Sequence, residues 1–137
     1  MNEAKRELVQ NWLVKACHDL TSARKLVAEP DRLLDTAIYH CQQAAEKAVK
    51  GFLVFHDRRF EKTHDVRVLT TLAGEVEPKF LTHHDAAVFL TPFAQEFRYP
   101  GNRLEPSLDE FDEALQAAET ILQFVLSRLP KELHPPR

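Results

Sequence analysis

The stretch that follows Pro106 places Leu108, Phe111, Leu115, Ala118, Leu122, Val125 and Leu129 at alternating steps of three and four residues. Residues so spaced share one face only if the backbone is an α-helix, so this segment has no place in a sheet. Ser107 and Glu110 have the spacing of a capping box, and Asp109, Glu110, Asp112 and Glu113 crowd the first turns, where the helix dipole favours negative charge. Pro130 ends the pattern, and the tail from about 130 to 137 is expected to fray.

The same period recurs upstream. Val9, Trp12, Leu13, Ala16, Leu20, Ala23 and Val27 mark a first helix that stops near Pro30. A second, from about Asp31 to Phe55, carries Leu34, Ala37 or Ile38, Cys41, Ala45, Ala48, Phe52 and Phe55, with Asp31 as its cap or first-turn acid. Its alanines admit a close neighbour, and Gly51 inside it costs about 1 kcal/mol unless close packing compensates. Thr63 is read as the cap of a short helix marked by Val66, Leu69 and Leu72, with Gly74 as its stop. Thr82 and Asp85 have capping-box spacing for a fourth helix with Ala86, Phe89, Leu90, Phe93 and Phe97 on one face, kinked or divided at Pro92. No β-alternation or repeat is present. The expected fold is all-α, an up-and-down bundle of four long helices plus one short helix, filling residues 1–137 as a single domain.

Of the 137 residues, 44% are hydrophobic, enough for a core, while the net charge of −3 gives no chain-wide attraction to nucleic acid or anionic lipid. No apolar run is long enough to span a bilayer, and the N-terminus has no signal core. Cys17 and Cys41 form no metal or redox motif and sit at inward helical positions, which points to reduced thiols and a cytoplasmic address.

The stretch "YHCQQAAEKAVKGFL", Tyr39 to Leu53, sets a polar block, Gln42, Gln43, Glu46, Lys47 and Lys50, against an apolar seam. From spacing alone this block reads as the solvated face of the second helix, with Glu46 and Lys50 as an exposed ion pair giving about 0.3–0.5 kcal/mol. Read with its surroundings, the block resembles the HEPN family of small helical domains. "WLVKACHDLTSARKLV", with Trp12, Ala16, Asp19, Leu20 and Ala23, is similar to that family's first helix. "AIYHCQQAAEKAVKGFLVF" is similar to its second, "THDVRVLTTL" with His64, Asp65 and Leu69 to the following segment, and "FRYPG" to its Arg-Tyr-Pro turn. The resemblance implies a helical bundle that commonly forms homodimers, a link to nucleotides or RNA, and, in some members, a small nucleotidyltransferase partner or metal-independent ribonuclease activity in toxin–antitoxin systems.

Ribonuclease members carry an Arg followed after four to six residues by a His, a pairing that suits charge stabilisation and proton transfer. Here Arg98 matches the Arg, but Asn102, Arg103, Leu104 and Glu105 occupy the place where the His is sought. The motif is therefore broken, and no catalytic residue is assigned. His40, beside Cys41, reads as a partly buried structural histidine. His64 reads as a neutral surface residue in a first helical turn. His83 and His84 point about 100° apart on a helix and chelate one ion poorly, so neither a metal nor a cofactor is expected. The remaining lead is basic. Lys47, Lys50, Arg98 and Arg103 are candidates to hold a nucleotide or RNA phosphate if the fourth helix packs beside the second, although Arg98 could instead bridge to Glu46. The functional expectation is a homodimeric binding or partner module with an apolar interface that includes Phe89, Phe93 and Phe97. The alternatives are a divergent ribonuclease built on Arg98 with a His from elsewhere, and a purely structural adaptor.

Overall fold

The computed structural model describes residues 1–136, and among these every regular element is helical. The helices are α1 (Glu3–Leu26), α2 (Leu34–Phe55), α3 (Val66–Val76), α4 (His84–Leu90) and α5 (Leu108–Ser127), with 3₁₀ turns at Pro78–His83, Thr91–Ala94 and Lys131–Leu133. No helix of the described residues is long and apolar enough to cross a membrane.

Helices α1 and α2 form an antiparallel hairpin, since Gly51 faces Trp12 while Lys47 and His40 both reach Asp19. Gly51 explains itself here. A Cβ built on it falls 3.2 Å from the Cβ of Trp12 and 3.4 Å from Cδ2 of Leu13, so the small residue sets how closely the two backbones approach. Helix α5 packs mainly on α2, and α3 and α4 close the remaining sides. The shared core includes Leu13, Leu20, Ile38, Phe52, Leu69, Phe111, Ile121 and Leu122. Phe80 joins it from the 3₁₀ turn between α3 and α4, with its ring 4.6 Å from Phe52 and 4.8 Å from Phe124.

Local chemistry fixes most helix ends, and several differ from the sequence expectation. The box at the start of α5 forms as read, with the Ser107 hydroxyl accepting from the Glu110 N–H and the Glu110 carboxylate accepting from the Ser107 N–H. Helix α2 begins at Leu34 rather than Asp31 and has no side-chain cap. Asp65, not Thr63, caps α3 by accepting from the N–H groups of Arg67 and Val68. The Thr63 hydroxyl instead accepts from the Asp65 N–H and shapes the preceding turn. Gly74 lies within α3, which runs on to Val76 before Pro78.

The fourth helix is not one long element. Its α-helical part spans only 7 residues, between two 3₁₀ turns that each carry a proline near the start. Pro92 lacks the N–H that would continue the ladder, and the Thr91 hydroxyl bonds back to the Ala87 carbonyl at 2.7 Å. Thr82 makes no capping box with Asp85, because its hydroxyl donates to the Lys79 carbonyl of the 3₁₀ turn. The altered winding buries Ala87 and Leu90 and leaves Ala86 and Phe89 half-buried.

Phe93 and Phe97 are only 5% and 6% exposed within one chain, which removes them as an apolar interface. The exposed apolar residues nearby are Tyr99, Leu104 and Leu108. The tail expected to fray is docked over its described length: Leu133 is fully buried, and the ring of His134 bonds the carbonyls of Leu126 and Leu129 at the end of α5.

Candidate functional site

The polar block of α2 is not a solvated face. Gln42, Gln43, Glu46 and Lys50 are all buried, with Glu46 3% and Lys50 5% exposed. Helix α1 covers one side of this stretch and the connector carrying His64 covers another, which shuts Gln42, Gln43, Glu46 and Lys50 off from water. Buried charges survive only when paired and hydrogen-bonded, and these are. Glu46 Oε2 accepts from Lys50 Nζ at 3.0 Å, and Oε1 accepts from Gln42 Nε2 at 3.1 Å. Gln42 also donates to the His64 carbonyl at 2.8 Å, and Gln43 donates to Gln42 Oε1 at 2.7 Å. The Lys50 ammonium lies over Trp12 and Phe60, 5.6 and 5.7 Å from the ring centroids.

The imidazole of His64 completes this cluster, with Nδ1 2.8 Å from Glu46 Oε1. A second cluster is built around Asp19 of α1, with Lys47 and His40 of α2. Its carboxylate, 8% exposed, accepts from Lys47 Nζ at 2.7 Å and from His40 Nδ1 at 2.8 Å. A carboxylate offers only acceptors, so in both clusters Nδ1 of the imidazole is the donor. Each cluster thus holds one acid, one lysine and one histidine.

Three of the four residues expected to hold a phosphate are engaged by acids of the same chain. Lys50 is consumed by Glu46, and Lys47 by Asp19. Arg103 is held by the carboxylate of Glu110 through two bonds, 2.7 and 3.0 Å, while its guanidinium packs on Phe97 at 5.2 Å. That pairing draws the Glu110 carboxyl down to about 2. Three of the four cations thus each have an acid partner within the chain.

Arg98 differs. It is exposed, and among the described residues it has no carboxylate partner, Glu46 included. Its guanidinium stacks 4.6 Å from the ring centroid of Tyr39 and 6.0 Å from that of Tyr99. The turn that carries it follows the 3₁₀ segment at Pro92, where the Arg98 N–H donates to the Gln95 carbonyl at 3.0 Å. Arg98 opens on a cleft of about 300 Å³ lined by Asp35, Thr36, Tyr39, His40 and Phe97. The cleft thus holds an unpaired guanidinium and a histidine whose other nitrogen is anchored to a buried acid.

The sequence reading set His40 aside as structural and passed over Tyr39 and Asp35. One signal was available: Asp19 stands between Ala16, Leu20 and Ala23 on the inward face of α1, where an acid requires a partner. Nucleophilic roles for cysteine are excluded at Cys41, whose thiol burial pushes up to about 12.

No curated protein matches the chain. Among solved structures it is similar to the archaeal HEPN homologue ST0689, at 28% identity over 88% of this chain and 96% of that one, with a TM-score of 0.68. It is also similar to TT1696 from Thermus thermophilus, at 27% identity over 88% and 98% of the two chains, with a TM-score of 0.72. The HEPN domain family model matches residues 9–129, nearly the whole helical bundle from α1 to the end of α5. The chain belongs to the HEPN domain family.

Proposed function

We propose that this HEPN chain, one domain throughout, is a homodimeric binding module of the cytoplasm that holds a nucleotide or RNA phosphate at Arg98 and partners a small nucleotidyltransferase of a toxin–antitoxin type system. The observation that carries the ligand is the state of Arg98. Three of the four candidate cations are neutralised inside the chain, and this one is left facing a cleft with two aromatic rings beside it. A planar guanidinium so placed suits two oxygens of one phosphate. The dimer contact is assigned to the loop that follows Arg98, where Tyr99 and Leu104 are 66% and 71% exposed. A partner copy seated there would border the cleft.

The test joins light scattering with calorimetric titration of adenosine 5′-monophosphate and a short RNA. A dimer is expected, with binding weakened about tenfold or more by Arg98→Ala and unchanged by Arg58→Ala. Arg58 is a surface cation already paired with Glu75. A monomer that binds neither probe contradicts the proposal.

A second reading, a metal-independent ribonuclease, is favoured by one observation: His40 lines the same cleft as Arg98. His40 Nε2 would take the proton of a ribose 2′-hydroxyl as that oxygen attacks the adjacent phosphorus, Arg98 would stabilise the charge on the five-coordinate phosphorus, and the P–O5′ bond would then break to leave a 2′,3′-cyclic phosphate and a 5′-hydroxyl that takes its proton from water. RNA cleavage in the presence of a chelator, lost in both Arg98→Ala and His40→Ala, would establish it. RNA left intact by wild type would remove it.

A further inference from the structure

A second groove, between α4 and α5, shares no residue with the Arg98 cleft. We propose that it docks a basic amphipathic helix of a partner protein, one with two lysines or arginines two turns (about seven residues) apart and apolar residues between them. The proposal does not rest on the reading of Arg98.

The two helices run antiparallel. His83, at the start of α4, packs on Phe124 near the end of α5, with ring centroids 4.5 Å apart, and Glu77 reaches Arg128 at 3.2 Å. The groove between them has a volume of about 450 Å³. Asp85, Ala86 and Phe89 line it from α4, and Glu113, Ala117 and Thr120 line it from α5. Ala86, Phe89 and Ala117 are half-buried and form an apolar floor, while Asp85 and Glu113 are exposed. The antiparallel order sets Asp85 toward the Thr120 end and Glu113 toward the Phe89 end. The rise of 1.5 Å per residue puts these ends about 10 Å apart along α5. Neither carboxylate has a side-chain partner among the described residues. Helices α4 and α5 also contain no lysine or arginine that could neutralise them.

An apolar floor with one unpaired carboxylate toward each end selects its occupant by charge and by length. On a helix, residues two turns apart return to the same face about 10 Å from one another, and the residues three and four positions along lie between them. Cations at the two outer positions meet Asp85 and Glu113, and apolar side chains at the inner positions meet Ala86, Phe89 and Ala117. The methylene stems of the cations lie along the floor while their charged ends stay wet at the rim. The small side chains of Ala86 and Ala117 let the incoming helix seat deeply. Charge complementarity also removes the other occupants. The acids repel RNA and anionic lipid. A second copy lacks the pattern, because no helix of this chain carries two lysines or arginines at that spacing.

The experiment is calorimetric titration of the full chain with capped helical peptides. The first carries two lysines at the required spacing with leucines between them. The second has glutamates in place of the lysines, and the third has alanines in place of the leucines. The lysine–leucine peptide is expected to bind, the glutamate peptide not to bind, and the alanine peptide to bind at least about tenfold more weakly. Asp85→Asn and Glu113→Gln should each weaken the first peptide about threefold. Glu7→Gln removes the same charge from the exposed face of α1 and should change nothing, as should Arg98→Ala. The double variant Asp85→Lys with Glu113→Lys should bind the glutamate peptide in preference to the lysine one, a gain that a folding defect cannot imitate. Absence of binding by the lysine–leucine peptide, or an equal loss in Glu7→Gln, overturns the proposal. A change of molecular mass by light scattering in the double variant would mean that a second copy covers the groove, and overturns it as well.

Discussion

His64 Nδ1 lies 2.8 Å from Glu46 Oε1, joining a ring that is 58% exposed to a carboxylate that is 4% exposed. The histidine backbone is pinned as well, through its carbonyl and Gln42. Glu46 is thus the point at which α2, the connector before α3, and Lys50 are fastened together. Replacing it leaves Lys50 buried without a counter-charge, which costs about 3–5 kcal/mol. Glu46→Ala is expected to lower the urea midpoint by that amount with an unchanged slope, whereas Arg24→Ala, which breaks an exposed pair with Glu119, should cost about 1 kcal/mol or less. A cost below about 0.5 kcal/mol for Glu46→Ala, of the order of an ordinary surface change, would contradict the buried cluster.

Much of the fold was legible because it depends on local period. The stripes of α1, α2 and α5 follow directly from residues such as Leu13, Ile38 and Leu122, and the box of Ser107 and Glu110 needs no tertiary information. The polar block of α2 was misjudged because Gln42 to Lys50 look alike whether water or another segment covers them. Only the packed chain decides that, and here α1 and the His64 connector cover both flanks. Arg98 was legible as a candidate from its Arg-Tyr-Pro turn. Its cleft was not, since Asp19 reaches His40 only through the hairpin and Arg98 reaches Tyr39 only through the turn after the broken fourth helix. Phe80 entered the core unannounced because a 3₁₀ turn has neither a helical nor a strand period.

Gly51 predicts an inverted propensity effect. In an open helix, glycine to alanine stabilises by about 1 kcal/mol. Here the added carbon meets the Cβ of Trp12 at 3.2 Å, an atom fixed close to its backbone, so α1 must move. Gly51→Ala is expected to give no gain in Tm, and Gly51→Val to destabilise by about 1–3 kcal/mol. Thermal unfolding followed by circular dichroism checks both. A clear rise in Tm for Gly51→Ala would show that the helices are farther apart.

Glu110 predicts an acid limb. Arg103 holds its carboxyl down at about 2, below the ordinary value of 4.5, with the Ser107 N–H helping. The folded chain binds this proton more weakly than the unfolded chain. The stabilisation is therefore complete above about pH 4.5 and lost as pH falls toward about 2. The contact is partly solvated, so it contributes no more than about 1 kcal/mol. The stability difference between wild type and Glu110→Gln should shrink across that window and stay constant from about pH 5 to pH 7. A difference independent of pH across the whole acid limb would contradict the pairing.

The docked tail predicts a loss on truncation. Leu133 is fully buried against the bundle, and removal of such a side chain costs about 2–5 kcal/mol. Leu133→Ala should lower the unfolding free energy within that range, measured by chemical denaturation. A change within about 0.5 kcal/mol, typical of an exposed site, would mean that the segment is not packed.

Mapping of amide and side-chain NMR shifts during titration with adenosine 5′-monophosphate tests the central claim most directly, that this HEPN chain keeps Lys47, Lys50 and Arg103 for itself and offers Arg98 to its ligand. The account predicts shifts concentrated at Asp35, Tyr39, His40 and Arg98, with the ammonium of Lys50 undisturbed. Shifts centred on Lys50 or Arg103, with the Arg98 cleft silent, would contradict it.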